Sequence, residues 1–260
     1  MNGTRMHVER DGVIATVRMD GPDRYNVLDR AAWEALARAV RELSADDALR
    51  CVVLRGTGGR AFSAGSDIAA FAEQRDTPED VETYSAAIGG ALAAVAGCRH
   101  PTIAVVEGIC VGGGLEIAAC CDLRVCEASS RFGAPIARLG LTMSYDELRP
   151  LVSLVGPGPV LEILLTGELL DAHHARALGL VSRVAADGTA VEEAYALARR
   201  VAAGAPLVHR WHKRFVRRLL DPTPPTDAER AEAHEAFRTA DYREGRAAFL
   251  EKRDPEFHGG

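Results

Sequence analysis

The chain lacks the long apolar runs that cross a bilayer: no stretch approaches the roughly 20 uncharged apolar residues a spanning helix needs. Its start, Met1 to Asp11, has no apolar signal core, so the expected setting is the cytoplasm, with no membrane partner. Lysine is nearly absent. Only Lys213 and Lys252 stand among the 31 basic residues, which leaves Schiff-base chemistry two late candidates, neither in an apolar stretch. The six cysteines, Cys51, Cys98, Cys110, Cys120, Cys121 and Cys126, never form a C-x2-C pair and lie in apolar stretches. They read as reduced core residues rather than a disulfide framework. No metal site is expected, since His173 and His174 are adjacent and point in different directions on a helix. Positive charge is not in excess either. A net charge of −6 argues against a nucleic-acid footprint and leaves room only for a local basic patch. A G-x-S-x-G elbow is also missing, which sets aside a serine hydrolase built on Ser63 or Ser66.

What is present is an ordinary globular composition, 47% hydrophobic and 26% charged over 260 residues, enough chain for one or two domains with a self-sufficient core. Alternation across Val8 to Met19, interrupted by Asp11-Gly12, predicts a hairpin. Trp33, Leu36, Ala37, Val40 and Leu43 share one face of a helix over 31–43. Thr77-Pro78-Glu79-Asp80 is a helix start, with an N-cap, proline at the first position and an acid at the third. That helix should run to about Gly97. Buried strands are expected at Cys51 to Leu54, Thr102 to Val106, Leu123 to Cys126 and Leu180 to Val184, with a helix at Gly114 to Cys121. Strands alternating with helices give an α/β core with parallel pairing. Beyond Tyr145 the pattern turns mainly helical, closing with helices at Val208 to Leu220, Ala228 to Ala240 and Arg243 to Arg253. Such a detached helical tail usually packs on something else, such as another subunit.

Gly56-x-Gly58-x-x-Ala61 imitates a dinucleotide fingerprint, but no helix opens directly after it to receive a pyrophosphate. Two other segments carry more when taken together. Ala61-Phe62-Ser63-Ala64-Gly65-Ser66-Asp67-Ile68 is a small-residue turn after a strand, where a ligand can approach the backbone. Glu107 to Glu116 runs from a strand through Gly112-Gly113-Gly114 into a helix, offering bare N–H groups at the positive end of a helix dipole. Two N–H donors from separate loops are what an oxyanion hole requires.

With these segments the sequence resembles the crotonase superfamily, the enoyl-CoA hydratase/isomerase family. The likeness extends through Asn26-Val27-Leu28, Ala61 to Ile68, Pro101 to Asp122, Phe132-Gly133-x-Pro135, Leu165-Thr166-Gly167, Ala177-x-Gly179-Leu180-Val181 and Phe249 to Arg253, in family order. It implies an α/β spiral of β-β-α units over 1–200, followed by a helical trimerisation region over 201–260. Homotrimers or dimers of trimers are the implied assembly. The implied substrate is an acyl-CoA thioester, with no cofactor beyond the coenzyme A it carries. The N–H groups of Ser66 and Gly113 would bind the thioester oxygen. Ala64, Asp67 and Ile68 would line the coenzyme A channel, and Lys252 would reach the nucleotide phosphates.

Glu116 matches the first of the two glutamates that family hydratases use. The second is missing, because Ile136 stands where it should follow Pro135. The segment that follows is also altered, and it brings Asp146 and Glu147, either replacement acids or plain first-turn helix acids. The resemblance therefore implies a thioester enolate served by Glu116, with hydration or isomerisation as the default reaction. A decarboxylase, a thioester hydrolase and a non-catalytic acyl-CoA binder stand as alternatives.

Overall fold

The computed structural model describes residues 3–260. Strands β1 (Arg5–Asp11) and β2 (Ile14–Asp20) form the expected hairpin, with Asp11 paired to Ile14. Asp29 then caps α1 (Arg30–Ala45), whose side chain accepts from the Ala32 N–H at 2.8 Å. Next come β3 (Cys51–Gly56), β4 (Ala61–Ser63), a short α2 (Phe71–Gln74) and α3 (Pro78–Gly97). The start of α3 is a full capping box between Thr77 and Asp80, as its sequence predicts. The same order recurs in β5 (Thr102–Val106), β6 (Ile109–Val111) and α4 (Gly113–Cys120), and begins again with β7 (Leu123–Glu127) and β8 (Arg131–Gly133).

Each repeat sends its first strand to one sheet and its second to another. The large sheet has the order β1-β2-β3-β5-β7-β10, where β10 is Arg183–Ala185, and it is parallel except for β1. The small sheet is β4-β6-β8-β9, with β9 (Leu170–Asp171) antiparallel at its edge. This is the crotonase spiral. Alternation along β3 shows how the layers are made: Val52 and Leu54 enter the main core beside α1 and α3, while Cys51 and Val53 face α8 (Ala190–Ala202). A strand buried on both faces must read as a continuous apolar run, which is why β3 and β5 do.

Three expectations need correction. Ala61 to Ser63 is a strand, not only a turn, and the small sheet it belongs to gave no sequence signal because its members are two or three residues long. The strand expected at Leu180 to Val184 begins three residues later, because the Leu180 and Val181 N–H groups both turn back to Ala175 O to close α7 (Ala172–Ala177). The helix expected over Ala228 to Ala240 is broken into α10 (Asp227–Glu232) and a 3-10 turn at Glu235–Arg238. Thr239 leaves the helical region to cap α11 (Ala240–Glu251).

Between β8 and α8 lie a 3-10 turn at Pro135–Leu139, α5 (Tyr145–Val155) and α6 (Pro157–Thr166). The tail starts with α9 (Pro206–Arg218) and is tied to the body by polar links. Asp122 is the main one. Its carboxylate accepts from the Thr102 N–H at 2.7 Å and meets Lys213 Nζ at 2.6 Å and an Arg217 nitrogen at 3.0 Å. Lys213, which reads from sequence as lying outside any apolar setting, has a side chain only 8% exposed. All six cysteines are buried free thiols. No helix among the described residues is long and apolar enough to cross a membrane.

Candidate active site

Two chain turns meet at glycines. Beyond β4 the backbone is held against the loop before α1: Ala64 N–H donates to Tyr25 O, Leu28 N–H to Gly65 O and Asp67 N–H to Leu28 O, at 2.8 to 2.9 Å. The last two bonds make a parallel bridge centred on Ser66. In such a bridge the central residue's own N–H points to the other side, so the Ser66 N–H is left for a ligand. The loop supplying these partners is itself unusual, since Tyr25 and Asn26 both adopt left-handed φ values of 56° and 54°. Buried Asn26 fixes it with side-chain bonds to Ala61 O at 2.8 Å and Thr57 O at 3.1 Å.

The second turn joins β6 to α4. Gly113 is the first residue of that helix, where an N–H has no intrahelical acceptor. Neighbouring Gly112 gives its N–H to Gly133 O at 2.9 Å. A side chain on Gly65 would put its Cβ 2.6 Å from the Gly113 nitrogen, so the two turns touch. The N–H groups of Gly113 and Ser66 thus belong to two turns that touch at one junction. The need for glycine at 113 has a different cause from the one a ligand-facing turn suggests. A Cβ there would lie 2.6 Å from Trp33 Cζ2, and one at Gly114 would lie 2.1 Å from Ser63 O. Trp33 and Tyr84 form the floor behind the junction, and the Tyr84 hydroxyl donates to Leu28 O at 2.9 Å.

Glu116 sits one turn into α4 and is 3% exposed. Its Oε2 has no hydrogen-bond partner among the described residues. Burial holds its carboxyl well above the usual carboxylate range, the charge of Glu147 pushes the same way, and Arg75 opposes them. Burial thus favours the protonated form of this carboxyl. Glu147 is the third residue of α5, and its Oε2 accepts the Ser144 N–H at 2.6 Å in a capping box. It is both the helix-start acid that the sequence suggests and a charge that acts on Glu116. Asp146, the other candidate, is exposed and is not among the charges acting on Glu116. Ile136, in the 3-10 turn, packs its apolar side chain against the core.

Of the remaining candidates, three flank Ser66 and one lies apart in the tail. Asp67 is 6% exposed, caps the short 3-10 turn Ile68–Ala70 by accepting from the Ala69 N–H, and pairs with Arg24. Its carboxylate is committed within the fold. Ile68 is 48% exposed and Ala64 half-buried, both on the lip of the junction. Lys252 ends α11 in a left-handed cap at φ 57°, exposed and with no side-chain link to this junction among the described residues. Sequence reasoning missed Arg75, Trp33 as a floor residue, and the action of the Glu147 charge on Glu116. Trp33 was legible only as core, and Arg75 lies in a segment without periodicity. No group of three or more His, Cys, Asp or Glu side chains is placed to hold a metal among the described residues.

Known proteins resemble this chain over nearly its whole length. The family model described as Enoyl-CoA hydratase/isomerase matches residues 9–260. The crotonyl-CoA hydratase of Syntrophomonas wolfei is 30% identical over 256 residues, covering 96% of each chain. The short-chain-enoyl-CoA hydratase of Clostridium acetobutylicum is 30% identical over 253 residues, covering 96% of this chain and 95% of its own. A crystal structure of an enoyl-CoA hydratase/carnithine racemase from Magnetospirillum magneticum superposes with a TM-score of 0.96 at 45% identity, over 98% of this chain and 96% of that one. A spiral of β-β-α units, a match over nearly the whole sequence and relatives of this identity and coverage together place the chain in the enoyl-CoA hydratase/isomerase family of acyl-CoA enzymes.

Proposed function

We propose that the protein hydrates a short 2-enoyl-CoA thioester, with Ser66 and Gly113 N–H groups holding the thioester oxygen and Glu116 and Glu147 moving the protons. The observation that carries this reading is Glu116 itself: a buried, unpartnered carboxyl one helical turn from two bare N–H donors. As water adds to Cβ, the Glu147 carboxylate takes the water proton and the electrons move onto the thioester oxygen. The N–H pair stabilises that enolate. Protonated Glu116 then delivers its proton to Cα, and the two acids exchange the proton back through water. Glu147 thereby replaces the carboxylate that Ile136 removes. The names of the Syntrophomonas and Clostridium relatives point to the same short substrates.

The supporting assembly follows the same family pattern. We infer a catalytic spiral over 1–200 and an oligomerisation region over 201–260, with Ala64, Asp67 and Ile68 on the coenzyme A channel and Lys252 reaching its phosphates from a neighbouring subunit. Val216 at 64%, Leu219 at 67% and Phe249 at 83% exposure support a contact between subunits through the tail, because these apolar side chains are left uncovered. The test is mass spectrometry of crotonyl-CoA incubated with the protein. Water addition that disappears in both Glu116→Gln and Glu147→Gln is expected. Carbon dioxide loss or free coenzyme A as the main product across an acyl-CoA panel would overturn hydration in favour of a decarboxylase or hydrolase.

A further inference from the structure

Arg75 follows α2, between β4 and α3 in the chain, and its guanidinium carbon lies over two rings: 4.0 Å from the centroid of Tyr84 and 4.3 Å from that of Phe71. The two rings also meet each other edge to face, 5.8 Å apart, so each supports the other beside the cation. The segment bearing it is pinned as well, because Gln74 Oε1 accepts the Arg30 N–H at 3.1 Å. Despite this fixed position, Arg75 forms no ion pair and no side-chain hydrogen bond among the described residues, and its Nε is buried without a partner. Elsewhere in the chain, arginines of similar burial are paired: Arg24 with Asp67, Arg55 with Glu107 and Arg217 with Asp122. Arg75 is also close enough for its charge to act on Glu116, and Tyr84, one of its two ring partners, forms the floor of the oxyanion junction.

A guanidinium held by two cation–π contacts, with no side-chain hydrogen bond spent, is a receptor for a planar anion, since its N–H fork matches a carboxylate in geometry. We propose that Arg75 sets the substrate class of this site, binding a second carboxylate at the far end of a short acyl chain whose thioester lies in the oxyanion junction. Two features support an anion here rather than an internal acid. Glu116 Oε2 has no hydrogen-bond partner and so does not engage Arg75, and Glu147 Oε2 is held by its own helix start. The aromatic clamp also keeps the cation in place while the site is open, which spares the ligand the cost of ordering it.

The inference rests on the acyl-CoA reading above, and calorimetry separates the two. Glutaryl-CoA and pentanoyl-CoA share a five-carbon chain and differ by the terminal carboxylate. Wild-type protein should bind glutaryl-CoA about 10-fold or more tightly, as expected for one charge-assisted fork. Arg75→Leu should lose that ratio, and Arg75→Lys, which keeps the charge without the fork, should retain only part of it. Thermal unfolding of each variant checks the fold, and the lysine variant serves if the leucine one does not fold. Equal wild-type affinities for the two thioesters would overturn the assignment while leaving the acyl-CoA reading intact. A loss shared equally by both thioesters in Arg75→Leu would also overturn it, placing Arg75 on the coenzyme A moiety. Binding of neither thioester would remove both readings.

Discussion

Glu116 and Glu147 stand on different helices, one buried in the first turn of α4 and the other in the capping box of α5, and the charge of the second raises the pKa of the first. Removing that charge while keeping the cap has a definite sign. Glutamine at 147 still closes a capping box. With the charge gone, the Glu116 pKa should fall, and the kinetic limb belonging to Glu116 should move to lower pH in Glu147→Gln. A pH profile of α-proton exchange reads this, and an unmoved limb would separate the two acids electrostatically.

Glu116→Gln should lower α-proton exchange on a saturated acyl-CoA by ~10²-fold or more, the usual scale for a lost acid or base. It should also stabilise the fold at neutral pH. The native state holds this proton well above the ordinary value of 4.5, whereas the unfolded chain releases it there. The native state thus binds more protons, and stability present below pH 4.5 is lost as the pH rises through the raised native value. Melting curves at neutral pH should place the glutamine variant above the wild type. A purely structural glutamate would give the opposite order.

His100 has the opposite linkage. It is 1% exposed, and burial together with the charges of Arg210 and Arg99 lowers its pKa to about 4, so it is neutral in the native state. The unfolded chain takes up a proton near pH 6.5. Stability contributed by the neutral ring is therefore present above pH 6.5 and lost as the pH falls toward 4. Replacement His100→Leu should flatten that part of the melting-temperature profile. An unchanged slope would assign the acid sensitivity to other groups.

Asp122 joins the tail to the body, and Lys213 beside it is nearly buried. Asp122→Ala leaves that ammonium without its carboxylate, a loss of about 3 kcal/mol. Asp122→Asn should cost less, because an amide oxygen still accepts from Thr102. Chemical denaturation distinguishes these values from the roughly 0 to 1 kcal/mol of an exposed pair.

Gly113→Ala should destabilise the protein and abolish turnover, because its Cβ meets the Trp33 ring rather than open space. The N–H donor itself survives that substitution. Adding Trp33→Leu should therefore restore part of both stability and activity, which a double-mutant cycle measures as coupling. Additive losses would show that the thioester, not Trp33, excludes a side chain at 113.

Much of this was legible wherever the signal is local. The capping box of Thr77 and Asp80, the α1 face carrying Trp33 and the triple glycine each announce themselves within a few residues. The pairing of the two glycine turns was also readable, since each turn has its own short pattern. The small sheet was not, because strands such as Arg131–Gly133 are too short to show an alternation. Nor was the burial of Lys213, whose partner Asp122 lies 91 positions earlier. Glu147 was ambiguous for a related reason: its sequence position fits a helix cap, and only the packing of α5 on α4 brings its charge within range of Glu116. Arg75 is isolated in sequence, and its clamp is assembled by α3 folding Tyr84 over it.

The six buried thiols give the molecule a built-in opening reporter. Cys51, Cys121 and Cys126 are raised to about 12 by burial, and Cys110 and Cys120 are raised as well, so the folded protein resists alkylation. Their positions divide into two sets. Cys98, Cys120 and Cys121 line the grooves beneath α9 and its following turn, one of about 740 Å³ and the other of about 730 Å³. Cys51, Cys110 and Cys126 lie on strands of the spiral. Lifting of the tail uncovers the first set and leaves the second in place, so the order in which thiols label under native conditions separates departure of the tail from opening of the sheets.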